Sequence, residues 1–149
     1  MKKVWLLVAD AGRAFILACG PKLDDPEVVR EFENPKGRMR DVELSSDDTG
    51  RTRPRARNAT AGSAMGHSTS PHEVAAEEFS SDLASVVRDA RNGREFDELI
   101  LVAPPAFLGL LRQALDKNIL GSVRDVAKDY TGDTPATVVA RVREQLDLP

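Results

Sequence analysis

The sequence predicts a single α/β domain whose mixed five-stranded sheet is flanked by helices. Three observations predict it. The chain opens with a continuous apolar run, Val4–Ala9 (VWLLVA), and a second strand of similar character, Arg13–Cys19 (RAFILAC), separated by the turn signal Asp10-Ala11-Gly12. The second half alternates strand-like apolar runs with segments of helical period. Between the two halves, Thr49–His72 reads TGRTRPRARNATAGSAMGHSTSPH, with no acidic residue and almost no large apolar side chain. Such a stretch cannot bury enough surface to fold alone.

Taken in order, Val4–Ala9 is apolar at every position, as suits a buried strand, and the short turn after it favours an antiparallel hairpin with Arg13–Cys19. Glu27–Glu33 (EVVREFE) is a more polar third strand suited to a sheet edge, ended by Asn34-Pro35-Lys36-Gly37. A short ordered piece is expected over Arg38–Leu44, followed by a basic Gly/Ser/Arg-rich loop at about 45–71. Ser70-Pro71-His72-Glu73 combines an N-cap serine, a proline at the first helical position and an acid three residues after the cap. The helix it starts carries Val74, Phe79, Leu83, Val86 and Val87 as its apolar positions and ends near Asn92-Gly93. Glu98–Ala103 (ELILVA) is a further buried strand stopped by Pro104-Pro105. Phe107, Leu108, Leu111 and Leu115 mark a short helix, Ser122–Ala127 a weaker strand, and Asp133-Thr134-Pro135 the start of a last helix facing inward through Val138, Val139, Val142 and Leu146. The resulting order, βββαβαβα, matches a ribonuclease H-like arrangement.

Composition narrows the function. The 149 residues suit one domain with a core that needs no disulfide or metal, and 41% hydrophobic with 30% charged residues is ordinary for a soluble protein. The four arginines of Thr49–His72 leave the rest of the chain at −7 where the whole is −3, so any contact with a polyanion has to be local. A lone Cys19 excludes an intrachain disulfide and reads as a buried strand residue; with only His67 and His72 beside it, no structural zinc is expected. Lys2 and Lys3 precede an apolar run, but Asp10 and Arg13 cut it below the roughly 7–15 residues of a signal core. No segment approaches the roughly 20 apolar residues of a membrane span, and the expected compartment is the cytoplasm.

Three constellations carry chemistry. Arg51, Arg53, Arg55 and Arg57 suit phosphates of RNA or another polyanion, and equally suit a solvated stretch folded onto its own acidic body. Aromatic residues for base stacking are absent from Thr49–His72. Asp10 at the end of the first strand, with Glu73, Glu77 or Glu78 on the first helix, is where a two-metal nuclease would place acids; Pro104-Pro105 leaves no third ligand after the fourth strand, and Asp129 is a poor substitute. Asp10 also reads as a turn residue bonding local backbone amides. Ser and His occur together in GHSTSPH with no acid beside them, and no glycine pair forms a phosphate-binding fingerprint.

Several segments taken together, Val4–Leu17 (VWLLVADAGRAFIL), Ser45–Arg51 (SSDDTGR), Gly66–Glu73 (GHSTSPHE), Glu77–Val87 (EEFSSDLASVV), Phe96–Leu115 (FDELILVAPPAFLGLLRQAL) and Lys128–Thr131 (KDYT), resemble the bacterial host attachment protein family. The strand-plus-APP block and KDYT are the more specific pieces. That family is similar to the middle domain of archaeal and eukaryotic class-I translation release factors, which share this strand and helix order and carry a Gly-Gly-Gln loop before the first long helix. Ala61–His67 (AGSAMGH) stands at that place here without a glutamine, a departure that argues against peptidyl-tRNA hydrolysis. The resemblance implies a single-domain, non-enzymatic protein that acts by binding, without a cofactor, in attachment of bacteria to host cells. Its contact surface is expected at Arg51, Arg53, Arg55, Arg57, Gly62, Gly66 and His67. The alternative it implies is a release-factor-like domain binding the ribosome or a tRNA; a divalent-metal nuclease, read from Asp10 and the acids of the first helix, comes last.

Overall fold

A computed structural model describes residues 2–38 and 70–148. Five strands, β1 (Val4–Ala9), β2 (Arg13–Cys19), β3 (Glu27–Glu33), β4 (Glu98–Val102) and β5 (Val123–Val126), form one sheet in the order β3-β2-β1-β4-β5. β1 pairs antiparallel with β2 and parallel with β4; β2–β3 is antiparallel and β4–β5 parallel. The sheet is thus the mixed five-stranded one expected. The three strands of the N-terminal meander begin and end at the expected residues.

The centre of the sheet explains the unbroken apolar run of β1. Trp5, Leu7 and Ala9 point to one face and pack with Leu99 and Leu101 beneath helices; Val4, Leu6 and Val8 point to the other, with Ile100 and Val102. A strand buried on both sides has no position left for a polar alternation. β1 and β2 are therefore the central and adjoining strands of the sheet. β3, at the edge, is exposed at almost every position, and its charges Glu27, Arg30, Glu31 and Glu33 blunt the open edge.

Five helices are described: α1 (Pro35–Arg38), α2 (Pro71–Asn92), α3 (Pro105–Ala114), α4 (Lys117–Leu120) and α5 (Pro135–Gln145). α2, α3 and α4 cover the first face and α5 the second. The start of α2 follows the sequence signals: Ser70 Oγ accepts from the Glu73 N–H at 3.1 Å, and Pro71 takes the first turn, where its missing donor costs nothing. Its buried stripe is Phe79, Leu83 and Val87 with Ala76, Ala84 and Ala90. Val74, expected on that stripe, is instead 40% exposed, because it lies one residue off and shares the side of Glu78 and Ser81. The Phe79 and Phe107 rings, 5.9 Å apart, tie α2 to α3. Pro104 ends β4 and caps α3, and Pro105 is its first residue, so the Pro-Pro pair both stops the strand and starts the helix. Thr134 caps α5, which buries Val138, Val139 and Val142.

Two short helices were not foreseen. Asn34-Pro35-Lys36-Gly37, expected as a simple strand end, turns into α1, and α4 buries Ile119 between α3 and β5. Both are four residues long, too short for any helical period to register. Of the ordered piece expected over Arg38–Leu44, residue 38 closes α1; residues 39–44, like most of the basic loop, lie outside the described residues. Among the described residues no helix is long and apolar enough to cross a membrane.

Candidate functional site

Arg51, Arg53, Arg55, Arg57, Gly62, Gly66 and His67 all fall within residues 39–69, outside the described residues. What is described is the chain on either side of that segment, up to residue 38 and from residue 70. Both ends sit beside the β1–β2 turn, at the carboxyl ends of β1 and β4. On the outgoing side, the Asn34 N–H donates to Gly12 O at 2.9 Å, while Asn34 Nδ2 donates to Ala11 O at 2.9 Å and to Ala75 O at 3.3 Å. On the returning side, His72 Nε2 lies 2.8 Å from Gly37 O; a carbonyl only accepts, so Nε2 carries the proton. Gly37 is buried, and a Cβ on it would lie 1.7 Å from Ala11 O. A side chain at that position cannot coexist with this approach of α1 to the turn. Asn34, Gly37 and His72 therefore clasp the two ends of residues 39–69 together over Ala11 and Ala75.

His72 also lines a groove of about 440 Å³ between the first turns of α2 and α3. Ala11, Ala76, Pro104, Phe107 and Leu110 give it an apolar floor, and Glu73 and Glu77 bring carboxylates to its wall. In open α/β sheets this end, beyond the carboxyl ends of parallel strands, is where ligands ordinarily bind. An acidic shelf formed by Glu77, Glu78, Ser81 and Asp82 adjoins it along α2.

Asp10 is occupied structurally. Its Oδ1 accepts from the Gly12 and Arg13 N–H groups at 2.8 and 2.9 Å, the local turn bonding that an aspartate offers at this position. Its Oδ2 lies 2.9 Å from Thr131 Oγ1, which is also 2.7 Å from Asp129 Oδ1. The hydroxyl has one proton and serves one carboxylate at a time, while the Thr131 N–H holds Asp129 Oδ1 at 3.1 Å. Thr131 thereby ties the β1–β2 turn to the segment after β5. Among the described residues no group of three or more His, Cys, Asp or Glu could hold a metal ion, and the α2 acids named beside Asp10 line the groove and shelf instead. Cys19 faces the α5 side; burial, with the Asp24 charge nearby, pushes its thiol up to about 11, which keeps it protonated and unreactive near neutrality.

The family model described as "Protein required for attachment to host cells" matches residues 5–142. The chain belongs to that family. Comparison with curated proteins gives no match. The host attachment match runs from β1 into α5, so it takes in the clasp, the groove and the whole of 39–69, and membership suggests a role in attachment to host cells.

Within this host attachment domain, the clasp is what sequence reasoning missed. Asn34 and Gly37 stood in an Asn-Pro-Lys-Gly turn signal, and His72 at a helix start; nothing local links residues 35 positions apart. The signal that could have found it is the pairing of a glycine just before a long polar stretch of sequence with a histidine just after it.

Proposed function

We propose that this protein acts by binding, without catalysis, and that its contact surface is Arg51, Arg53, Arg55 and Arg57 together with Gly62, Gly66 and His67. Its ligand is a polyanion, with RNA as the phosphate-bearing candidate in the cytoplasm, and its part in attachment to host cells is then indirect. The observation that supports this reading is the clasp: the contact of His72 Nε2 with Gly37 O at 2.8 Å holds the residues flanking 39–69 together at the end of the sheet where open α/β folds ordinarily bind ligands. Four arginines in seven residues, on a chain otherwise at −7, make that segment the densest positive charge in the sequence. A nuclease is favoured least, since Asp10 Oδ1 accepts two backbone N–H groups of its own turn and no group of three or more His, Cys, Asp or Glu among the described residues could hold a metal ion.

A second reading, a release-factor-like domain on the ribosome or a tRNA, draws support from the sheet order β3-β2-β1-β4-β5, which fits a ribonuclease H-like fold with the segment placed before its first long helix. One fractionation separates the two. The full chain and a variant with Arg51, Arg53, Arg55 and Arg57 all changed to Ala are followed through ribosomes, free RNA and washed intact cells at moderate salt. Arginine-dependent recovery with free RNA supports the first reading and with ribosomes the second. Recovery on washed cells points to direct attachment, and equal recovery of both proteins in every fraction refutes a role for the arginines.

A further inference from the structure

The residues proposed for contact are cationic; the described surface along α2 is the reverse. Residues 71–87 carry Glu73, Glu77, Glu78 and Asp82 and no Lys or Arg. Among the described residues none of these four carboxylates is in an ion pair. Glu77 lines both the apolar groove and the acidic shelf of about 450 Å³, so the two form one track that is apolar at the α3 end and anionic along α2. Val74, 40% exposed, adds an apolar position on the same side of the helix. From Glu73 to Asp82 the track runs about 14 Å at a helical rise of about 1.5 Å per residue, the length of about four extended residues. The Phe79–Phe107 contact holds its two walls together.

We propose that this track docks a short basic peptide segment of a partner protein. One large apolar side chain of that segment fills the groove over Ala76, Phe107 and Leu110, and two or more Lys or Arg lie along Glu77, Glu78 and Asp82. Charge complementarity selects a cationic ligand, and the groove selects one with an apolar head. The chain's own Arg51–Arg57 (RTRPRAR) meets the first requirement and fails the second, since Pro54 and Ala56 are its largest apolar residues and Met65 lies eight positions further on. This inference uses the anionic side of the domain and stands or falls independently of the RNA reading.

The test is a titration of the isotope-labelled full chain with acetyl-Leu-Lys-Arg-Lys-amide, read from the backbone amides of α2 and α3. Acetyl-Ser-Lys-Arg-Lys-amide and acetyl-Leu-Glu-Asp-Glu-amide serve as controls. The leucine-headed basic peptide is expected to bind at least about tenfold more tightly than either control. The Glu77→Gln/Asp82→Asn variant, and Ala106→Trp placed at the exposed mouth of the groove, should each weaken it about tenfold, with amide signals elsewhere unmoved. Equal binding of the leucine- and serine-headed peptides, or no saturable shift, overturns the proposal. So does a shift of the groove amides in the peptide-free Arg51/Arg53/Arg55/Arg57→Ala variant, which would put the chain's own segment in the groove.

Discussion

Changing Gly37 to Ala inserts one methyl into the tightest approach in the clasp. The new Cβ would lie 1.7 Å from Ala11 O, 2.5 Å from Ala11 C and 2.9 Å from Asn34 Nδ2. Two of those partners are backbone atoms of the β1–β2 turn and cannot swing aside. Restoring an ordinary separation of about 3.5 Å from the oxygen moves α1 by roughly 1.5–2 Å. That displacement takes the 2.8 Å His72–Gly37 bond and the 2.9 Å Asn34–Ala11 bond out of range. Two lost bonds at about 0.5–1.5 kcal/mol each, with about 1–3 kcal/mol of overpacking, give a destabilisation of about 2–6 kcal/mol. Gly109→Ala is the control: a Cβ there meets nothing within 4 Å, so in mid-helix it should stabilise by about 0.5–1 kcal/mol. Urea unfolding of both variants, with the His72 ring resonance followed by NMR, reads the difference. A Gly37→Ala loss below about 0.5 kcal/mol with an unmoved His72 resonance would refute the steric argument.

Other perturbations separate strong ties from weak ones. Thr131→Val keeps the shape and removes the hydroxyl shared by Asp10 and Asp129; urea unfolding should show a loss of about 1–3 kcal/mol. Leu101→Ala, at a side chain with no exposure in the sheet centre, should cost about 2–5 kcal/mol by the same assay. Arg112→Ala breaks a two-point contact with Asp125 at 2.9 and 2.7 Å, yet both side chains are about a third exposed, so a change under about 1 kcal/mol is expected. The native Cys19 thiol keeps its proton to about 11 whereas the unfolded chain begins to ionise near 9.0. Between those values the unfolded state holds fewer protons, so stability falls as pH rises, by about 2–3 kcal/mol in total. The same alkaline series on Cys19→Ala should lack that part of the fall.

Legibility in the sequence followed the length of the physical signal. β1 was readable to the residue because continuous burial leaves a continuous apolar run, and β2 because only its first residue, Arg13, is exposed and Ala14–Cys19 is apolar throughout; the sharp turn at Asp10-Ala11-Gly12 bounds both. α2 and α5 were readable from side-chain caps that the structure makes, Ser70 to Glu73 and Thr134 to Thr137. Val74 was misplaced because alternation of large apolar residues overlooked the alanines, and Ala75 and Ala76 are what the helix buries in its first turns. α1 and α4 left no trace, since four residues make barely one turn. At the site, the Asp10 turn was foreseen, but Thr131 and the clasp were not: their bonds join positions 121 and 35 residues apart, and no periodicity spans such gaps.

The affinity of the full chain for a single-stranded RNA, measured by fluorescence anisotropy across a salt series, tests the binding account most directly. Four phosphate contacts should give a slope of log affinity against log salt of roughly −3, falling close to zero when Arg51, Arg53, Arg55 and Arg57 are replaced by Ala. Identical slopes and affinities for the two proteins, or no salt-dependent binding by the native chain, would contradict it.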